Sequence, residues 1–158
     1  MNYWFILNLL LLLYAFIDVI FMNSFDLYVS ILGLFGLMFI LFNWNIHAIF
    51  SKIRSLTNRT ERIKLAKVAR KIMPHHLLIG TIGFVFIILH FLFIVYKFGF
   101  AALFSNYKMI SGLMAIFLLL IVIISGYMRQ AKATGTRRLV HLYASLTLYF
   151  LMLLHIIF

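Results

Sequence analysis

Five apolar stretches of about twenty residues occupy nearly the whole chain, and this pattern limits its fold more than any other feature. An α-helix needs about 20 mostly apolar residues to cross the hydrocarbon core of a bilayer. Because 66% of the residues are hydrophobic and 11% are charged, too few polar side chains remain to cover a water-facing surface. We therefore expect an all-α integral membrane protein, with residues 1–158 forming a single five-span helical domain. We call the stretches spans 1 to 5, and they cover roughly residues 3–22, 28–49, 76–96, 109–128 and 139–158.

The distribution of positive charge predicts how these spans are oriented. Of the 14 Lys and Arg residues, eight lie between spans 2 and 3 and four lie between spans 4 and 5, whereas the connection at 23–27 is short and has none. Since basic loops stay on the cytoplasmic side of a membrane, we expect a cytoplasmic N-terminus and an external C-terminus. The net charge of +11 is then explained by the orientation of the spans in the cell (inner) membrane. We accordingly expect lipid as a partner and no nucleic acid.

The longest connection carries most of this charge. Residues 51–73 are predicted to form a basic cytoplasmic loop within the domain. Its segment 58–73 mixes apolar residues with cations, which is typical of a helix on an anionic lipid surface. A solvated basic loop explains the same composition.

Four of the six histidines repeat one spacing in two spans. His76 and His90 in span 3 are 14 residues apart, and so are His141 and His155 in span 5. Fourteen residues fall about 40° short of four helical turns and rise about 21 Å, so each set projects from nearly one face of its helix. Because spans 3 and 5 run in the same direction, we expect His76 to face His141 (the inner pair) and His90 to face His155 (the outer pair).

The chemistry of these pairs favours haem over other ligands. An imidazole in hydrocarbon is costly unless it is satisfied, and interhelical hydrogen bonds are the simplest alternative. Zinc prefers four protein ligands, whereas each level offers two histidines. Two facing imidazoles suit the axial positions of haem iron, because the porphyrin supplies the other four ligands. With no cysteine to attach haem covalently, the sequence predicts two noncovalent haem b groups, or a modified noncovalent haem, ligated by the four histidines.

Small residues near the inner histidines are candidate haem contacts. Gly80 and Gly83 follow His76 on nearly the same helix face and would let a macrocycle approach the backbone. Ser145, also small, takes the equivalent position in span 5. Packing between membrane helices explains the same residues.

Cations at the span ends are candidate partners for haem propionates. Arg137 and Arg138 precede His141 on the inner side, and Lys97 follows His90 on the outer side. All three are also explained as anchors at the membrane surface. Two further polar residues are ascribed other roles: Asp18 reaches lipid headgroups, and His47 is structural or part of a quinone or donor-docking site.

These motifs resemble the ferric reductase-like transmembrane domain. The resemblance rests on the doubled His-x13-His, His-x3-Gly opening span 3, Arg-Arg-x2-His opening span 5, and Ser125 late in span 4, and it covers about residues 66–158. That family includes the membrane parts of ferric reductases and NADPH oxidases and the haem-binding membrane subunit of a periplasmic methionine sulfoxide reductase. The resemblance implies a dihaem b-type cytochrome in which the inner pair and the outer pair each ligate one haem between spans 3 and 5.

The resemblance also predicts the function and its limits. Relatives often carry a cytosolic flavin and nicotinamide domain, but this sequence has no G-x-G-x-x-G loop. We therefore expect a separate cytosolic flavoprotein reductase, or a membrane quinol, to donate electrons through the inner and then the outer haem. The external acceptor would be Fe(III), oxygen or a partner protein, with the chain acting as the electron-transfer subunit of an oxidoreductase and no residue assigned a catalytic role.

Three alternatives stay open at this point. Several relatives have six spans, so a sixth helix is either missing here or supplied by a partner. A quinone-linked cytochrome b subunit would also bind two haems between histidines. A haem-free membrane scaffold or small transporter would use the same histidines for hydrogen bonds or proton relay.

Overall fold

A computed structural model describes residues 3–21 and 26–158, and nearly all of them are helical. Most of the short connection predicted at 23–27 lies outside the described residues. Short 3-10 turns, Met73–His75 and Phe100–Phe104, precede two of the helices. The all-α prediction is thereby confirmed. In chain order the helices are α1 (Tyr3–Phe21), α2 (Leu27–Ser55), α3 (Arg59–Ile72), α4 (His76–Phe98), α5 (Tyr107–Ala131) and α6 (Gly135–Ile157).

Five helical segments are long and apolar enough to cross a membrane, as the sequence predicted. They are α1, α2, α5, α6 and a segment of 40 residues that joins α3 to α4. The backbone stays in the right-handed helical region at Met73 and His75, on either side of Pro74, so α3 leads into α4 through one tight turn. Many large apolar side chains on the outside of these helices are exposed, for example Phe117 and Phe150, each 61% exposed, which suits a lipid environment.

Polar side chains define where several helices begin. Each accepts a hydrogen bond from a backbone N–H of the first turn, which satisfies a donor that the helix itself leaves unpaired. These caps explain why the helices restart after short connections, even where the surrounding sequence is apolar. The capping residues are Asp26 for α2, Asn58 for α3, Asn106 for α5 and Thr134 for α6.

The basic connection at 51–73 is mostly helical. The helix α2 continues to Ser55, and Asn58 starts α3 three residues later. Ala69 of α3 is buried, and Ala66 and Ala69 of α3 line a cavity with Phe50 and Ile53 of α2. Of the two alternatives for segment 58–73, the structure therefore has the helix, and small residues on α3 allow it to pack along the end of α2.

Two antiparallel helix pairs form the frame of the molecule. In the first, α2 packs along α4, and in the second, α5 packs along α6. Buried apolar side chains fill the centre between the pairs, including Leu37, Leu41, Leu119 and Leu148. The helix α1 packs on α2 and reaches α6 through a buried hydrogen bond from Tyr149 Oη to Asn8 Oδ1, 2.9 Å long.

Candidate functional site

The four predicted histidines meet in two pairs between α4 and α6. The ring centres of His76 and His141 are 6.2 Å apart with planes at 75°, and those of His90 and His155 are 6.3 Å apart with planes at 81°. A metal–imidazole bond is about 2.0 Å long, and the ring centre lies roughly 1.1 Å beyond the bonded nitrogen. The centres of two rings on opposite sides of one metal ion are therefore about 6.2 Å apart. Both levels therefore have the ring separation that a shared metal ion requires. The predicted pairing of the rings is confirmed, and the ligation of iron stays a prediction.

A backbone carbonyl of α2 fixes the ring of His90. His90 Nδ1 lies 2.7 Å from the carbonyl oxygen of Val29. Because a carbonyl oxygen only accepts, Nδ1 carries the proton and Nε2 keeps its lone pair. Gly33 lies four residues after Val29, and a Cβ there would stand 3.0 Å from Cε1 of His90. The missing side chain of Gly33 gives the ring room beside this carbonyl.

The same arrangement recurs at His155 on the other helix pair. His155 Nδ1 lies 2.8 Å from the carbonyl oxygen of Lys108 in α5. Gly112 lies four residues after Lys108, and a Cβ there would stand 2.7 Å from Cε1 of His155. In the outer pair, both rings therefore donate from Nδ1 to a neighbouring helix and keep the lone pair of Nε2.

His141 of the inner pair repeats the arrangement a third time. Its Nδ1 lies 3.1 Å from the carbonyl oxygen of Val122 and 3.0 Å from Oγ of Ser125. Ser125 Oγ donates to the Val122 carbonyl, so that its lone pairs face the imidazole N–H. Gly126 lies four residues after Val122, where a Cβ would stand 3.6 Å from Cε1 of His141.

His76 differs from the other three histidines. Within the described part of the chain, its Nδ1 is buried and has no hydrogen-bond partner. Its backbone carbonyl instead accepts a hydrogen bond from Nδ2 of Asn43 in α2, 2.9 Å long. Three of the four rings are thus fixed by a helix carbonyl, and one is not.

The small residues predicted to contact haem lie at helix contacts. A Cβ at Gly80 would stand 2.8 Å from Nδ2 of Asn43, and one at Gly83 would stand 3.0 Å from Cβ of Phe39. Both glycines therefore allow α4 to approach α2 closely. Ser145 Oγ donates to the carbonyl of His141 in its own helix, 2.6 Å away. A haem contact by these residues stays a prediction.

Two of the three cations that were predicted to bind haem propionates have partners within the protein. Arg137 Nη1 donates hydrogen bonds to two backbone carbonyls, that of Met128 at 2.9 Å and that of Lys132 at 3.1 Å. It thereby caps the C-terminal end of α5. Lys97 forms an ion pair with Asp26 at the start of α2. The nearby Lys97 ammonium holds the pKa of the Asp26 carboxyl below its usual value. Arg138 lies at the start of α6, and the predicted propionate contacts of all three cations stay predictions.

A cavity of about 210 Å³ surrounds the outer pair. Its walls come from α1, α2, α4, α5 and α6 and are mostly apolar. Both outer histidines, Gly33 and Gly112 line it together with two charged residues, Asp18 and Lys108. Lys108 is thus a cation at this cavity to which the sequence pattern assigned no role. Asp18, expected near headgroups, also lines it.

The sequence did contain a signal for the glycines that lie next to the histidine rings. Gly112 and Gly126 are 14 residues apart in α5, the same spacing as the histidines of α6 that they contact. The sequence pattern pointed to glycines on the histidine-bearing helices and not to those on the neighbouring helices. The contact surface between helices decides which glycines face a ring, and that surface depends on tertiary packing.

Metal binding at either level would need donor atoms beyond the protein. Among residues 3–21 and 26–158, no three His, Asp or Glu side chains are grouped so as to hold a metal ion. Each pair offers two imidazoles, and haem iron needs only two ligands from the protein because the porphyrin supplies four. Comparison of the chain with protein-family models, curated proteins and solved structures gave no match.

Proposed function

We propose that this chain is a membrane dihaem b-type cytochrome that transfers electrons, of the ferric reductase-like kind. One observation carries the proposal: the two imidazole pairs have ring separations of 6.2 and 6.3 Å, which suit one metal ion between each pair. Three of the four rings also keep the lone pair of Nε2, because Nδ1 donates to a carbonyl oxygen. The inner and the outer pair would each hold one noncovalent haem between α4 and α6.

The residues around the outer pair suit a haem group. The cavity there is apolar over most of its surface, as a porphyrin face requires, and Lys108 supplies a positive charge for a propionate. Bound haem iron supplies one-electron transfer, and two histidine ligands leave no open position for oxygen. The helix carbonyls hold the rings in one orientation, and the apolar core excludes water between the two levels.

The charge distribution supports a direction for electron flow. With the basic ends of α2, α3, α5 and α6 in the cytoplasm, the inner pair lies on the donor side of a multi-pass protein of the cell membrane. A separate flavoprotein or a membrane quinol would donate there, and an external acceptor would take electrons at the outer pair. Outward movement of one electron against an inside-negative potential costs about 2.3 kcal/mol per 100 mV, which the donor and acceptor must provide.

Haem content and ligand substitution test this proposal. The protein, purified in detergent after expression with haem supply, should contain two haems per chain and show the reduced-minus-oxidised spectrum of a b-type cytochrome. His90→Ala and His155→Ala should each lower the content to one haem. His75→Ala is the matched control, because this exposed neighbour of His76 lies in neither pair, and it should keep two haems.

Two outcomes would contradict the proposal. A folded wild-type protein without haem would reject it in favour of a scaffold or transporter. Equal haem content in the wild type and both outer-pair variants would show that haem binds elsewhere. In inverted membrane vesicles, reduction by a quinol without a flavoprotein would identify the quinone-linked alternative.

A further inference from the structure

The 14-residue repeat extends from the histidine-bearing helices α4 and α6 to α5 and, at one of its two positions, to α2. In α5, the carbonyls that accept from the rings, and their glycines, repeat as Lys108 with Gly112 and Val122 with Gly126. In α2, the first position is occupied by Val29, followed by Gly33. Both helices that pack against the histidine-bearing ones thus combine an accepting carbonyl with a glycine four residues later.

The second position in α2 does not follow this pattern of a carbonyl and a glycine. Fourteen residues after Val29 and Gly33 stand Asn43 and His47, so a histidine takes the place of the glycine. Asn43 does contact His76, but through its side-chain amide and the His76 carbonyl. The ring of His47 lies beside Trp44, with centres 5.2 Å apart, and beside Trp4 of α1, 5.9 Å apart.

Unsatisfied polar atoms are concentrated at this position. In the described ranges, the buried side-chain nitrogen and oxygen atoms without a partner are Asn43 Oδ1, Trp44 Nε1 and His76 Nδ1. Buried polar atoms are normally paired, so unpaired ones indicate a local compromise. Here the compromise coincides with the missing glycine.

We propose that the two haem centres are unequal and that the inner centre has the higher reduction potential. This inference rests on the proposed function. An imidazole that donates from Nδ1 to a carbonyl is a more basic ligand, which stabilises ferric iron and lowers the potential. The outer pair has two such ligands and the inner pair has one, because His76 lacks the carbonyl. Val29, Lys108 and Val122, with their glycines, are positioning residues that act through the histidines.

Redox titration of the haem-loaded protein tests the assignment. The wild type should titrate in two steps, and His90→Ala, which removes the outer haem, should leave only the higher step. Gly112→Ala and Gly33→Ala place a Cβ within 3.0 Å of His155 or His90 and should move the lower step upward. Gly135→Ala is the control, since a Cβ there meets nothing within 4 Å, and should move neither step.

The failure of this inference and that of the proposed function are distinguishable. A wild-type protein with two haems in which His90→Ala removes the higher step and leaves the lower one would overturn the inference and leave the function standing. A shift of the higher step in Gly112→Ala or Gly33→Ala would overturn it as well. If Gly112→Ala loses a haem while Gly33→Ala keeps both haems and raises the lower reduction step, the result would support the role of these glycines in positioning His155 and His90. Absence of haem from the wild type would reject the function itself.

Discussion

At the scale of single residues, the arrangement solves the problem of presenting imidazole nitrogens in a membrane. A histidine in hydrocarbon needs a partner for its N–H, and a helix carbonyl has a second lone pair that the helix does not use. The side chain of the residue four positions later normally covers that lone pair. At Gly33 and Gly112 the missing side chain removes this cover, whereas a Cβ at Gly126 would make only ordinary van der Waals contact with the His141 ring. The carbonyl then determines which ring nitrogen is protonated and leaves the lone pair of the other nitrogen available.

The angle between the rings predicts a spectroscopic signature. The imidazole planes stand at 75° in the inner pair and 81° in the outer pair. Nearly perpendicular axial planes keep the two iron d orbitals that overlap with them close in energy. With one haem bound at each pair as proposed, we therefore expect strongly anisotropic low-spin ferric signals in electron paramagnetic resonance, one for each haem. Signals of the moderately anisotropic kind given by parallel imidazole planes would contradict the ring geometry, and His90→Ala should remove only the outer signal.

At the scale of helices, polar contacts add to the apolar packing that attaches α1. Asn8 Nδ2 donates to Asn45 Oδ1 of α2 over 2.7 Å, and Asn8 Oδ1 accepts from Tyr149 of α6. Trp44 stacks on the Tyr149 ring, with centres 4.7 Å apart. Asn8 thus joins α1 to both antiparallel pairs, because one amide donates to α2 and accepts from α6.

Removal of one hydroxyl tests this attachment. Tyr149→Phe leaves the ring in place but leaves Asn8 Oδ1 without its donor, and Tyr149 is only 2% exposed. An unpaired buried acceptor costs about 1–3 kcal/mol, so the thermal unfolding midpoint in detergent should fall. Tyr143→Phe, at a position that is 63% exposed, is the control and should unfold like the wild type. Equal midpoints for both variants would show that the hydrogen bond does not stabilise α1.

The ion pair between α2 and α4 predicts a pH dependence. Lys97 lowers the pKa of Asp26 from its ordinary value of 3.8, so the pair stabilises the fold above that value and the contribution is lost as the pH falls through the lowered pKa. Asp26→Asn keeps a side chain that caps α2 but removes the charge. Its unfolding midpoint should be slightly below that of the wild type at neutral pH and equal to it well below pH 3.8. A difference that persists in acid would show that the cap, and not the ion pair, was lost.

The sequence predicted some of these elements and missed others for physical reasons. Span positions and the facing histidine pairs follow from hydropathy and from the 14-residue spacing, which are properties of single helices. The helix α3 was one of two alternatives, because a basic amphipathic composition does not decide whether a loop or a helix forms. Gly33 and Lys108 were missed because their roles depend on which faces of α2 and α5 meet the histidines. Lys97, predicted to bind a propionate, lies beside Asp26, since the start of α2 is brought to the end of α4.

At the scale of the whole molecule, the helix order places most of the positive charge at one end, beside the inner pair. The basic residues of α3 and of the connection between α5 and α6 lie at the same end as the inner pair, because α4 and α6 both begin there with His76 and with Gly135. The outer pair lies about 21 Å further along both helices, beside Asp18 and Lys108. A donor at the basic end and an acceptor at the other end would each meet one centre.

Chemical labelling tests this orientation, and the chain is suited to it because it contains no cysteine. Ser55→Cys places a single thiol at the end of α2, on the basic side, and Ser105→Cys places one before α5, on the opposite side; both positions are exposed. A membrane-impermeant maleimide added to intact spheroplasts should label Ser105→Cys at once. It should label Ser55→Cys only after the membrane is permeabilised, because positively charged ends remain in the cytoplasm. Labelling in the reverse order would invert the topology and place the pair of His76 and His141 on the external side, and electrons from a cytosolic donor would then enter at His90 and His155.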